Sequence, residues 1–203
     1  MSQTKIDVGM IDASSIGDAK LLQGDGAWVT PAAAGFTLAT EQALTSGTGV
    51  TFGSIPAGVK HIDIMFHEVS TSSTVAGNEI LVTLGDSGGL ETSGYLAHSA
   101  AQESGGNYVS GKNYTAGFGV YVLAAAVTEA EQLVSGVMSL YLEDAANFSW
   151  VSTGVYKNAH HTGSGEHMGI SGGSKSLSAE LTQLKVGIEA GTYDAGAVNI
   201  KYM

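Results

Sequence analysis

The residues best equipped for chemistry in this 203-residue chain are one serine, six histidines and a few carboxylates. Ser87 lies in Gly85-Asp86-Ser87-Gly88-Gly89. There a serine hydroxyl can attack an acyl carbon, provided a histidine base, a buried aspartate and an oxyanion hole stand around it. His160-His161 with Glu166-His167 brings loop-borne ligands close enough in sequence for a divalent cation, zinc or nickel by ligand type. Glu143-Asp144 offers one half of a glycosidase acid pair. Tyr95, Tyr108 and Tyr114, with His160, His161 and His167, fall in two stretches rich in Gly, Ser and Asn. Rigid aromatic contact beside flexible hydrogen bonding is the residue mix of an adaptable recognition surface, so these six are the candidate ligand-facing loop residues.

Each signal has a plainer reading. The pentapeptide around Ser87 resembles the nucleophile motif of trypsin-like proteases, but that family places its His and Asp on a first barrel far upstream. Only 86 residues precede Ser87, and the two histidines among them, His61 and His67, have no neighbouring Cys. The stretch is read as the turn ending a strand over Glu79–Leu84. His61 and His67 lie on one strand face about 20 Å apart by strand rise, too far to share an ion. The acids Asp7, Asp12, Asp18 and Asp25 lack the alternate spacing and closing Glu of a calcium loop and are read as solvating or capping turns. No partner for Glu143 can be named, and no phosphate loop or dinucleotide fingerprint is present. No catalytic residue, metal or cofactor is assigned, and the chain is expected not to be an enzyme.

The bulk composition narrows the partners. The net charge is −11, and all eight basic residues are Lys. Without Arg there is no bidentate grip on guanine or phosphate, and the overall field repels a polyanion, so nucleic acid and anionic membrane surfaces are disfavoured. There is no Cys, which removes disulfides and thiolate chemistry. No signal peptide and no apolar run long enough for a membrane helix is visible, so synthesis in a cytoplasm and no membrane insertion are expected.

The elements that must position these residues read as strands. Residues 1–33 form an N-terminal arm whose apolar positions, Ile6, Met10, Ile11, Ile16, Leu21 and Leu22, fit neither helical nor strand spacing. Such an arm finds its partners on other chains or stays unstructured. Residues 34–203 form the body. Strands are expected at Phe36–Ala43, Val50–Phe52, Lys60–Val69, Glu79–Leu84, Gly117–Val122, Val134–Glu143, Phe148–Tyr156, Ser176–Leu181, Gln183–Glu189 and Thr192–Tyr202. In Lys60–Val69, Ile62, Ile64 and Phe66 alternate with His61, Asp63, Met65 and His67, one buried face against one exposed. Ala124–Leu133 is the one helix-like stretch, where Thr128-Glu129-Ala130-Glu131 equally suits a turn; 85–116 reads as long loops with short strands, and His160–Gly173 as a second loop. Asp144-Ala145-Ala146-Asn147 joins two strands as a hairpin. The expected fold is all-β, an antiparallel jelly-roll-like β-sandwich with an extended anchoring arm.

Between arm and body lies Leu21-Leu22-Gln23-Gly24-Asp25-Gly26-Ala27-Trp28-Val29-Thr30-Pro31. Gly24 and Gly26 permit a tight turn around Asp25, Trp28 is a large ring with few apolar neighbours in sequence, and Pro31 stops regular pairing. This collar suits a subunit that fastens to copies of itself or to a larger particle. The GDGxW turn after a short arm resembles the stem-to-head junction of bacteriophage short tail fibres. Further segments resemble that family's head domain in the same order: Ile55-Pro56-Ala57-Gly58-Val59-Lys60-His61-Ile62, the central loop Leu84 to Tyr95, Leu140-Tyr141-Leu142-Glu143-Asp144 with Asn147 to Val151, and Asp194 to Tyr202. The resemblance implies a virion structural protein, homotrimeric, with the arm as anchor and the β head displayed outward toward other virion proteins or a host surface glycan. It implies Ile6, Ile11, Ile16, Leu21, Leu22, Gly24, Asp25, Gly26 and Trp28 as the anchoring set, and no catalytic residues. Family members carry a long shaft before the head, and the short arm here equally suits a capsid decoration protein. A free carbohydrate-binding module is the alternative outside the virion.

Overall fold

The structure is a computed structural model describing residues 21–22, 28–29, 35–72, 79–103, 109–120, 132–160 and 167–203. It divides into two compact units, Met1–Gly35 and Phe36–Met203. In the first, β1 (Leu21–Leu22) pairs antiparallel with β2 (Trp28–Val29), Leu22 opposite Trp28. Of the anchoring set, Ile6, Ile11, Ile16, Gly24, Asp25 and Gly26 lie outside the described residues.

The second unit holds β3 (Thr37–Leu38), β4 (Gln42–Ala43), β5 (Gly49–Phe52), β6 (His61–Thr71), β7 (Ile80–Asp86), β8 (Gly89–Leu90) and β9 (Leu96–Glu103). It continues with β10 (Val109–Tyr114), β11 (Phe118–Val120), β12 (Gln132–Asp144), β13 (Ser149–His160), β14 (His167–Ser176), β15 (Gln183–Ile188) and β16 (Tyr193–Tyr202). They form an antiparallel sandwich. One sheet has nine strands in the order β10-β9-β14-β13-β12-β6-β16-β3, with β4 also on β16; the other has five, β11-β7-β15-β5, with β8 on β7. No helix occurs among the described residues.

The core follows from period-two alternation. Ile62, Ile64 and Phe66 of β6, Val134, Met138 and Leu140 of β12, Trp150 and Tyr156 of β13, and Val198 and Ile200 of β16 point inward. From the small sheet they meet Ile80, Val82 and Leu84, Phe118 and Val120, and Leu184 and Val186. Val–Ile–Leu-rich alternation on both inner faces is what packs two sheets about 10 Å apart. The alternation expected for β6, β12, β15 and β16 is present, and so is the β12–β13 hairpin, with Leu142 opposite Trp150.

Several expectations are corrected. The span 85–116 contains the β9–β10 hairpin, Ser99 opposite Lys112, and not mainly loops. Within His160–Gly173, residues from His167 onward belong to β14, an interior strand paired on both sides. Glycine-rich sequence misled here: Gly172 and Gly173 lie inside a ladder, and a Cβ on Gly173 would press on Ala97 and the Leu96 carbonyl at 2.6–2.7 Å. Ser176–Leu181 is not a strand beyond Ser176; the irregular segment drops Leu177 and Leu181 into the core. Phe36–Ala43 is split into two short pieces, both on β16. Of the helix-like stretch, only Gln132-Leu133 is described, and it begins a strand.

Irregularities fall where β6, β12 and β16 bend. Glu68 has φ 51° and Gly196 φ 90°. A side chain on Gly196 would collide with the Glu68 carbonyl, so only glycine allows this approach of β16 to β6. Past the bulge, Val69, Ser70 and Thr71 all turn into the protein.

Candidate functional site

The serine motif comes first. Ser87-Gly88 is the two-residue turn between β7 and β8, and Ser87 is exposed. Asp86 organises it: Oδ1 accepts the Gly88 N–H at 2.7 Å, and Oδ2 accepts the Ser178 hydroxyl at 2.7 Å. The Ser178 and Gly88 bonds hold the Asp86 carboxyl below the usual carboxylate range. Beside it Glu91 Oε1 accepts the Ser178 N–H at 2.7 Å, and Glu91 Oε2 pairs with Lys175. Burial works to raise the Glu91 carboxyl, and the Lys175 and Ser178 bonds outweigh it. Lys175 lies on β14 of the large sheet and Asp86–Glu91 on the small one, so the cluster clamps two sheets. No histidine takes part, and the arrangement offers no nucleophile–base pair.

The recognition tyrosines are corrected in the same way. Tyr95 and Tyr114 are core residues, not ligand-facing loop residues. The Tyr95 hydroxyl accepts the Leu84 N–H at 2.7 Å, and its ring meets Phe118 edge-on at 5.0 Å. Tyr114 pairs with the Ser99 hydroxyl at 2.8 Å, and its ring covers Gly119, where a Cβ would fall inside it. Burial pushes the Tyr95 hydroxyl well above its ordinary pKa. His167 is buried on β14. His160 ends β13, and Tyr108 and His161 lie outside the described residues. No group of three His, Asp or Glu close enough to hold a metal occurs among the described residues. Asp144 caps its own turn, accepting from the Ala146 N–H at 2.8 Å and the Asn147 amide at 2.6 Å.

Among the described residues, serine, histidine and aspartate meet on the outer face of the large sheet. Asp63 Oδ1 binds His61 Nε2 at 2.9 Å and accepts the Ser139 hydroxyl, while Oδ2 pairs with Lys201 at 3.1 Å. Burial works to raise the Asp63 carboxyl, but bonds from Ser139, Lys201 and His61 outweigh it. A catalytic triad needs the imidazole between hydroxyl and carboxylate. Here the carboxylate sits between the other two, so His61 cannot take the Ser139 proton, and the group is structural. Aromatic rings cover it: His61 stacks on Tyr141 at 4.5 Å, Phe36 meets His61 edge-on at 5.3 Å, and Lys201 Nζ lies 4.5 Å from the Phe36 ring centre.

The feature left unsatisfied is the rest of that face. Register aligns Met65, Val137, Val155, Ile170 and Ala100 in one row across β6, β12, β13, β14 and β9. Two residues along the strands, Ser139, Thr153, Gly172 and His98 form a shallow row; beyond it come Tyr141, Val151, Ser174 and Leu96. Ile170 is 60% exposed, Val155 53% and Leu96 77%. Between Glu143 and Lys157, the outward positions of β12, β13, β14, β9 and β10 carry no Asp, Glu or Lys among the described residues. Apolar side chains this exposed on an antiparallel sheet face depart from the polar outer face such a sheet ordinarily turns to water. Sequence reasoning passed over it, yet a signal was present: in Trp150-Val151-Ser152-Thr153-Gly154-Val155-Tyr156 both alternating registers carry apolar side chains, so neither register is the wet one.

No family model matches the sequence, and no curated protein or solved structure is significantly similar to it.

Proposed function

We propose that this protein is a non-enzymatic structural component of a bacteriophage virion, a self-associating β-sandwich head carried on an N-terminal anchor. A homotrimeric short tail fibre is the first form of this reading and capsid decoration the second. The resemblance of the collar and head segments supplies the class. The observation that carries the reading on structural grounds is the outer face of the nine-stranded sheet. The Asp63 and Asp86 clusters are bonded among the chain's own residues, and the outward positions of β12, β13, β14, β9 and β10 between Glu143 and Lys157 carry no Asp, Glu or Lys among the described residues of a molecule of net charge −11. Binding, not turnover, is what such a surface does. Light scattering on the full chain tests it: an oligomer stable to dilution into the micromolar range is expected, and a monomer throughout would overturn the reading.

Glycan recognition is favoured at one place. Tyr141 and Phe36 are each nearly half exposed at the His61 stack, beside Asp63 and Lys201. Flat rings next to paired charges suit a sugar face with its hydroxyls. Binding on a glycan array that is lost in Tyr141→Ala supports this second reading; an array with no signal removes it.

A further inference from the structure

The strands β12, β13, β14, β9 and β10 lie side by side, and their outward side chains form two apolar ridges separated by the Ser139–Thr153–Gly172 furrow. We propose that this face is covered by a second copy of the same chain, ridge against furrow. The inference rests on the self-associating virion reading and gives it a surface; identical faces meet about a two-fold axis, so this contact joins copies in pairs and is distinct from the three-fold contact of a trimer.

Three observations select that occupant. The first is charge. Copies that each carry −11 repel wherever their acids meet, and the face is a broad area without acids or lysines among its described outward residues. A strongly basic partner would be drawn to acids that are not there. The second is shape. Val137, Val155 and Ile170 stand up from backbone lined by Gly172, Ser139 and Thr153, so the surface offers both the knob and the slot that an identical surface needs. The third is size. Five strands at about 4.8 Å spacing and six residues at about 3.3 Å rise span about 19 by 20 Å. Two such faces cover about 760 Å² in plan and remove more from water once side-chain relief is counted, which places the contact at the low end of specific interfaces. The Phe36–His61–Tyr141 corner stays at the rim.

The chain's lack of cysteine makes a direct test available. In the full-length protein, Ile170→Cys places one thiol on the face and Ser87→Cys one on the exposed β7–β8 turn. If copies meet through the face, a short bis-maleimide joins Ile170→Cys chains at least 10-fold more efficiently than Ser87→Cys chains. Independently, Val155→Lys with Ile170→Lys raises the dissociation constant about 100-fold while circular dichroism keeps the parent β spectrum. Both positions point to solvent in the single chain, so lysine there is compatible with folding. An oligomer that survives the double substitution, with equal cross-linking at both thiols, overturns the proposed face and leaves the self-associating reading standing. A parent chain that is monomeric at every concentration overturns both.

Discussion

The two sheets of the sandwich share one inner face and treat their outer faces oppositely. On the small sheet, outward positions are mostly polar or bare, Thr51, Gln183, Lys185 and Gly187 beside the half-buried Leu81, with Gly49 packed so close to the Val186 carbonyl that a Cβ would sit 2.7 Å from it. On the large sheet the corresponding positions carry Val137, Val151, Val155, Met168 and Ile170. The Lys175–Glu91 pair and the Lys112–Glu79 pair, the latter at 3.3 Å, tie residues of one sheet to the other around the edge of the core. Outer polarity on the small sheet is the ordinary solution for a solvated antiparallel face. The large sheet departs from it by carrying apolar residues on both faces.

The sharpest way to break this comparison is to truncate one isoleucine on each side of the large sheet. Ile64 is fully buried between sheets. Ile64→Ala should cost about 3–4 kcal/mol from lost transfer energy plus the cavity left behind. Ile170→Ala should change the stability of the dissociated chain by no more than about 0.5 kcal/mol. Urea unfolding at low protein concentration reads both. Similar costs at the two sites would mean that Ile170 is packed within its own chain, and the contrast between inner and outer face would fail.

That contrast was half legible in the sequence. The inner face announced itself wherever apolar residues alternated with polar ones, as in Ile62-Asp63-Ile64 and in Leu184-Lys185-Val186. The β14 and β9 strands did not, because His-Met-Gly-Ile-Ser-Gly-Gly-Ser and Leu-Ala-His-Ser-Ala-Ala-Gln-Glu are small or polar at inward positions. They are strands through pairing on both sides and through large rings from elsewhere, such as Tyr156, whose hydroxyl bonds Ser171 at 3.0 Å. Tertiary context overrides weak β-propensity in this way. The tyrosines taken for recognition residues are the fillers that small neighbours require: the Tyr114 ring occupies the space over Gly119. The polar clusters were illegible for another reason. Asp63 and Ser139 are 76 positions apart, and Asp86 and Ser178 92 apart, so only topology joins them.

The clamp between the sheets gives the next largest effect. Lys175 is buried and Glu91 only partly exposed. Glu91→Gln leaves the ammonium without its counter-charge and should cost about 2 kcal/mol, less than for a fully buried pair. Lys175→Met should cost under about 1 kcal/mol, because Glu91 keeps its bonds from Ser178 and reaches solvent. Thermal unfolding distinguishes the two. Equal losses would show that the sheets are held by the pair as a unit rather than by the need to neutralise a buried cation.

Acid separates outer face from inner rim. The Asp63 carboxyl is held below its ordinary value, so its contribution is full above the unfolded pKa of about 3.9 and is lost as pH falls through the lower folded one. Burial raises the Glu79 carboxyl despite bonds from Tyr114 and Lys112, so Glu79 opposes stability above its folded pKa and gains as pH falls through it. Asp63→Asn should therefore cost about 1 kcal/mol at pH 7 and flatten the acid limb. Glu79→Gln should be at least as stable as the parent at pH 7, with the difference vanishing in acid. Stability curves from pH 2 to 7 decide it; a Glu79→Gln variant that loses stability at neutral pH would show that its pairing with Lys112 outweighs its burial.

The smallest effect belongs to the residue that looked most chemical. Ser87 is exposed in a turn, while its neighbour Asp86 receives bonds from Gly88 and Ser178 and passes its carbonyl to the Gln183 amide at 2.8 Å. Ser87→Ala should leave unfolding within about 0.5 kcal/mol of the parent, and a serine-directed fluorophosphonate should label neither protein. Asp86→Asn, one position away, removes the acceptor that organises the turn and should lower the midpoint of unfolding measurably. The pair isolates what the Gly-Asp-Ser-Gly-Gly sequence is for. If labelling appeared and vanished in Ser87→Ala, the hydroxyl would have a base that the folded chain does not place beside it. If only Asp86→Asn responds, the motif is a hairpin turn whose aspartate fastens the small sheet to the clamp beneath the apolar face.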